Sequence, residues 1–320
     1  MKHILCALTA VLIHTSSHAQ TNPLLGQYFQ NLQVYNPAHA GMNDYLDINM
    51  GIRQQWAGFE GSPTTMYLSA NGILKFNKIQ NTTAEGTVKP GFKHGLGGYL
   101  LSDKQGPYKQ SEISLAYAAH VPLTPDLYLS MGASPGVYNA RVDMSDVWVK
   151  DMANDQTYQS MMANGSSNTY LHVNMGLSLY SKAFYLSYSM AEAAKVSLSG
   201  NKDISQWGDQ VRHHILGGYR FNLENGFELM PNAFIRLDQT KPAFYEGGVR
   251  ARYQKNYWVG ASYRNDNTYV GMLGFTFNDK YRLGYSFEYK TRDISRYSNG
   301  THEINLGMRL YNHAGSPSMW

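Results

Sequence analysis

The 320 residues carry only 16% charged side chains, against roughly 25% in soluble domains, but hold 25 tyrosines and 30 glycines. The net charge of +4 becomes +3 once Lys2 is removed and is spread along the chain, which gives no reason to expect nucleic acid. Cys6 is the only cysteine and lies near the start, so neither a disulfide framework nor thiol chemistry is expected downstream.

In chain order, Lys2 and His3 precede an apolar stretch from Ile4 to Ile13 and a polar one from His14 to Gln20. Ser17 and Ala19 sit at the −3 and −1 positions of a cleavage site before Gln20, so residues 1–19 read as a signal peptide. A lipoprotein reading fails because the apolar stretch runs past Cys6. No later segment approaches the 18 apolar residues of a membrane helix, and the mean hydropathy is −0.41. A membrane barrel has the same low mean, since lipid-facing and lumen-facing residues alternate.

Residues 20–45 are rich in amides and aromatics without strand alternation, and Asn36-Pro37 and Gly41 mark turns. This segment is expected in the periplasm or as a plug in a barrel lumen.

From Leu46 onward, short segments alternate apolar and polar residues. In 281–289, Tyr281, Leu283, Tyr285, Phe287 and Tyr289 share one face, and Arg282, Gly284, Ser286 and Glu288 the other. Fourteen such segments are predicted: 46–55, 63–75, 94–103, 110–121, 126–139, 170–180, 183–190, 211–221, 226–237, 243–254, 256–264, 267–277, 279–289 and 301–311. After an export signal, the apolar medium is lipid. The fold class is therefore all-β, a transmembrane antiparallel barrel of about fourteen strands over 46–320.

Connections after even strands are mostly tight (122–125, 181–182, 222–225, 255, 278) and several after odd strands are long (140–169, 191–210, 290–300). Short turns belong in the periplasm and long loops outside, which puts both chain ends in the periplasm. The stretch 76–93 breaks the rule.

Tyr and Trp near strand ends (Trp56, Tyr67, Tyr99, Tyr128, Tyr180, Tyr188, Tyr219, Tyr257, Trp258, Tyr281) fit the headgroup level. Gly97-Gly98, Gly217-Gly218 and Gly247-Gly248 fit relief of crowding in a curved sheet. Polar faces send Arg53, Glu112, His120, Arg220, Glu228, Arg236, Glu246, Arg250, Arg252, Arg264, Arg282, Glu288, Glu303 and Arg309 inward, where cross-strand pairing explains them better than an anion conduit. Adjacent His213 and His214 point to opposite faces and cannot chelate together. Neither metal nor cofactor is expected. Ser178 with His172 or His214 is the only hydrolase pairing worth naming, and sequence cannot supply its geometry.

Two stretches resemble the PorP/SprF family of Bacteroidetes outer-membrane proteins, part of the type IX secretion and gliding machinery. They are Gln27 to Gly41 (Q-Y-x-x-N-x-x-x-x-N-P-A-x-A-G, with His39 where an aromatic is more usual) and Arg53 to Thr65 (R-x-Q-W-x-G-x-x-G-S-P-x-T). The tail after Leu310 departs from the family's pattern. The resemblance implies a non-enzymatic barrel that captures or anchors a secreted adhesin through its C-terminal domain, and that meets periplasmic ring or peptidoglycan-binding lipoproteins. Partner contacts are accordingly expected at Tyr28, Asn36, Pro37, Gly41, Arg53, Gln55, Trp56 and Pro63, besides the lipid bilayer itself. The competing reading is a passive porin, and a barrel enzyme comes third.

Overall fold

The computed structural model describes residues 24–74, 91–200, 211–239, 241–291 and 298–311. Fourteen antiparallel strands form one closed wall. They are β1 (Leu46–Gln54), β2 (Thr64–Leu74), β3 (Lys93–Gln105), β4 (Tyr108–Pro122), β5 (Tyr128–Val142), β6 (Ser167–Tyr180), β7 (Phe184–Gly200) and β8 (Arg212–Tyr219, continued by Phe221–Asn222). Then come β9 (Phe227–Asp238), β10 (Phe244–Tyr253), β11 (Tyr257–Arg264), β12 (Thr268–Phe277), β13 (Tyr281–Lys290) and β14 (Thr301–Leu310). Each pairs with the next, and β1 pairs with β14 from Leu46↔Leu310 to Gln54↔His302, which leaves no free sheet edge. The end where β1 starts and β14 stops is called the terminal end, the other the loop end.

Alternation does what period two requires. In β13 Arg282, Gly284, Ser286 and Glu288 are buried inside, while Tyr281, Leu283 and Tyr289 are exposed outside. Exposed outward residues elsewhere are Met50, Ile52, Met66, Leu68, Leu115, Leu177, Val259 and Leu273. A soluble protein does not expose so much contiguous apolar surface, and lipid is the medium that makes it favourable. Outward rings form two girdles. Tyr219, Phe227, Tyr253, Tyr257, Phe277 and Tyr281 lie at the terminal end, and Tyr245, Tyr263, Tyr269 and Tyr289 at the loop end. From Tyr269 to Phe277 a strand tilted by ~40° rises roughly 20 Å, close to the apolar band of outer-membrane barrels.

The expected headgroup aromatics divide differently. Tyr67, Tyr99, Tyr180 and Trp258 are buried in the lumen, because they share the phase of inward neighbours such as Ser69 and Asn71. Inside, the hydroxyl of Tyr67 accepts from Asn305 Nδ2 at 2.7 Å.

β7 runs ten residues past its expected end. At Glu192 (φ 55°) the backbone bulges, and the register against β6 shifts between Val173 and Met175. A bulge reverses which residues face in, so simple alternation stops there while pairing continues. The rule of alternating connection lengths is also weaker than expected. Residues 106–107, 239–243 and 265–267 follow odd strands and are as short as the even turns. Connection 143–166 carries the one described α-helix, α1 (Gln156–Asn164). Asp155 caps it by accepting from Tyr158 N at 2.8 Å, and Gly165 at φ 85° ends it. Its Met161 packs on inward-facing Tyr138 and Tyr170 at the loop end. The exceptional stretch 76–93 falls almost wholly outside the described residues.

Candidate functional site

Residues 24–45 occupy the lumen as a plug of three short 3-10 turns, Tyr28–Gln30, Leu32–Val34 and Pro37–His39. The chain enters beside Ser286, Glu288 and Glu303 in the loop-end half of the wall, crosses the interior and leaves at the terminal end to begin β1. Its apolar side chains make a core inside the barrel. Tyr28 and Tyr35 lie against Phe234 at 5.4 and 5.3 Å, and Phe29 is edge-on to Trp258 at 5.6 Å.

An irregular segment buried this deeply must find partners for its own backbone. The wall supplies them. Ser189 Oγ (2.6 Å) and His214 Nδ1 (3.1 Å) donate to Tyr35 O, Ser130 Oγ to Ala38 O (2.7 Å), and His120 Nε2 to Ala40 O (2.9 Å). The carboxylate of Glu303 accepts from Gly26 N (2.6 Å) and Gln27 N (3.2 Å). In return, Gln33 Nε2 donates to the carbonyls of Ala70 and Gly98, and Asn36 Nδ2 to those of Leu177 and Tyr188, the latter two at 3.1 Å. Each such bond is worth about 0.5–1.5 kcal/mol net, and more if one partner is left buried alone.

Space for the plug comes from glycines. A Cβ on Gly95 would collide with Ala40 O, on Gly97 with the Gln33 amide, on Gly176 with Asn36 Oδ1, and on Gly132 with the Ala38 backbone at 2.5 Å. Close approach of the plug, beyond general relief of crowding, is therefore what these positions demand. His39, standing where an aromatic is usual, keeps an aromatic's place, edge-on to Tyr185 at 5.6 Å with Nε2 3.0 Å from Ser187 Oγ. Burial, with His120 nearby, holds its imidazole neutral and pushes its pKa down to about 3. Burial likewise drives the Tyr28 and Tyr35 hydroxyls well above their ordinary value.

The rest of the lumen is filled by long charged side chains, and those predicted to face inward do so. Arg53 joins Glu288 (2.8 Å) and approaches Glu303 (3.9 Å), while Arg264 joins Glu288 (2.8 Å) and Glu246 (2.6 Å). This alternating row of three acids and two guanidiniums crosses the β14–β1 seam, and through Glu303 it holds the start of the plug. Toward the loop end, His172 Nε2 meets Glu112 at 3.1 Å and Arg212 meets Glu192 at 2.8 Å. Pairing across strands thus accounts for much of the lumen charge.

The eight expected partner residues fall in three places. Tyr28, Asn36, Pro37 and Gly41 belong to the plug. Tyr28 OH donates to Asn232 Oδ1 at 2.8 Å, Asn36 caps the turn that Pro37 starts, and Gly41 (φ 71°) passes against Gly95 while its N–H reaches Asn71 Oδ1. All four are buried, so in this state none offers its side chain to another protein. Arg53 lies in the seam row. Gln55, Trp56 and Pro63 form the β1–β2 connection at the loop end, closed by Gln55 N to Pro63 O at 2.8 Å. What sequence missed is the complementary half, namely Ser130, Ser189, His214 and Gly176. Their signal was small or polar residues at inward positions of successive strands.

His214 faces in and His213 out, where it meets Tyr188 OH at 2.7 Å. His172 is bonded to Glu112 and Asn174, and His214 to the plug, so neither is engaged with Ser178.

Several solved structures are similar to this chain at low identity. Omp33 of Acinetobacter baumannii is 12% identical with a TM-score of 0.46, over 84% of this chain and 100% of that one. The toluene transporter TbuX of Ralstonia pickettii is 9% identical with a TM-score of 0.46, over 87% and 93%. The translocator domain of the autotransporter NalP of Neisseria meningitidis is 10% identical with a TM-score of 0.40, over 97% and 94%. Among functionally curated proteins none matches. The model of the family described as type IX secretion system membrane protein PorP/SprF matches residues 17–308, nearly the whole chain, and the chain belongs to that family.

Proposed function

We propose that this PorP/SprF-family barrel works in type IX secretion as a closed, non-enzymatic anchor, with its terminal end in the periplasm. The observation that carries the reading is the plug. A lumen occupied by residues 24–45, with wall donors on the Tyr35, Ala38 and Ala40 carbonyls, is built as a solid support rather than a passage. Signal cleavage after Ala19 would leave Gln20 a few residues before the described plug. A secreted cargo protein, an adhesin handled through its C-terminal domain, then meets the loop end, where 55–63 and 143–166 are presented. Periplasmic ring or peptidoglycan-binding lipoproteins meet the terminal end. Arg53, Gln55, Trp56 and Pro63 stand on the cargo side. Tyr28, Asn36, Pro37 and Gly41 support function by fixing the plug.

The test is a pull-down of the tagged barrel from intact outer membrane. Co-purification of one large surface protein, lost when residues 144–164 are replaced by a short linker in a barrel that still folds, supports the reading. Recovery of the barrel alone favours a channel.

A further inference from the structure

At the terminal end, beneath the first turn of the plug, inward side chains of β10, β13 and β14 and of the turn after β10 converge. Arg250, Arg252, Lys255, Arg282 and Arg309 line one cavity of about 20 Å³, with Gln30 of the plug at its roof. Among the described residues, two acids reach this group and both are engaged, Asp47 with Arg282 at 3.0 Å and Glu228 with Arg252. Arg250 instead lies over the Phe29 ring at 3.7 Å and reaches Met230 Sδ at 3.6 Å, and Arg309 lies 5.5 Å from the Tyr45 ring. Among the described residues no carboxylate comes within 4 Å of either. Among the described residues nothing pairs with the buried Nε atoms of Arg250, Arg282 and Arg309, on side chains of residues only 5–6% exposed. Buried guanidiniums are ordinarily paired, since an unpaired charge out of water is costly. In the same lumen Arg53, Arg212, Arg236 and Arg264 each meet a carboxylate.

We propose that this cluster is a binding site for a carboxylate, supplied by an acidic segment of a protein partner that enters the barrel mouth at the terminal end. Its position argues against a lipid headgroup, because these side chains face the lumen and the membrane lies behind the opposite face of the same strands. Its guanidiniums suit the two oxygens of a carboxylate, which they grip with paired N–H donors. Phe29 over Arg250 and Gln30 in the cavity place the ligand against the plug, so occupancy and plug seating are coupled.

The inference rests on the periplasmic placement of the terminal end. The purified intact barrel is titrated calorimetrically with a short glutamate–glycine peptide and with its glutamine counterpart. The site predicts that the glutamate peptide binds at least about tenfold more tightly, that its affinity falls as salt rises, and that Arg309→Gln and Arg250→Gln each cost about tenfold. Lys255→Gln, on an exposed turn outside the packed lumen, is expected to cost about threefold and keeps the test valid if a buried variant fails to fold. Equal binding of both peptides, unchanged affinity in the folded variants, or binding of inorganic phosphate without the peptide would each overturn it. Labelling of a Lys255→Cys variant in whole cells reads the placement separately. Reagents that stay outside the outer membrane should miss it.

Discussion

Two walls of different chemistry line one lumen. From β2 to β8 many inward positions at the plug are short, Ser69, Gly95, Gly97, Ser130, Gly132, Gly176, Ser187 and Ser189 among them. From β9 through β14 to β1 they are mostly long and charged: Arg236, Glu246, Arg250, Arg264, Arg282, Glu288, Glu303 and Arg53. The short wall receives the plug by close backbone approach and single hydrogen bonds. The long wall fills the remaining width with ion pairs, and Glu303 links the two systems. A barrel of this strand number with long side chains all round would have no room for a segment, and one with short side chains all round would be hollow.

The comparison breaks most visibly at the ion pairs. Arg264→Met leaves Glu246 and Glu288 each short of a cation, at a cost of about 3–5 kcal/mol to stability in micelles, measured by urea unfolding. A loss below 1 kcal/mol would mean the long wall is not interlocked. On the short wall, Gly176→Val puts methyl groups where Asn36 Oδ1 lies. The expected cost is about 1–3 kcal/mol, with residues 24–45 newly open to protease. Gly271→Val, which faces open space on the outside, serves as the control. Asn36→Ala removes a cap and two donations to wall carbonyls, for about 1–2 kcal/mol by the same unfolding measurement.

Acid acts more gently, and through His39 it acts on the plug. His39 is near 3 when seated and 6.5 in water, so the seated form binds the proton less readily than the released one. Its contribution is therefore complete above pH 6.5 and is lost as pH falls from there toward 3. Hydrogen exchange of residues 36–40 should rise over that window, and His39→Gln should flatten part of the rise. The smallest effect is expected at Lys109→Gln. Its ion pair with Asp143, which holds that carboxyl well below its ordinary value, is at the loop end in contact with solvent. Unfolding midpoint and plug protection should both stay unchanged.

The wall was legible because lipid on one side and water or polar atoms on the other impose period two on every strand. Each of the fourteen expected segments is a strand, with ends displaced by a few residues, except β7, whose bulge at Glu192 resets the phase. The plug is legible as a segment lacking that period, with the lumen one of its two expected places, but its contacts are not. No local pattern says that Asn36 meets Leu177 and Tyr188, contacts separated by 141 and 152 residues. In sequence the glycines read as curvature, because a Cβ clash depends on what lies opposite. Distance from strand ends puts the aromatics at the headgroups, whereas the face of the strand decides for Tyr67, Tyr99, Tyr180 and Trp258.

The most direct test is conductance of the purified protein in a planar bilayer. The plugged-anchor account predicts no steady open current from the intact chain, and a steady current from a folded variant lacking residues 24–41. A steady open current from the intact chain would contradict it.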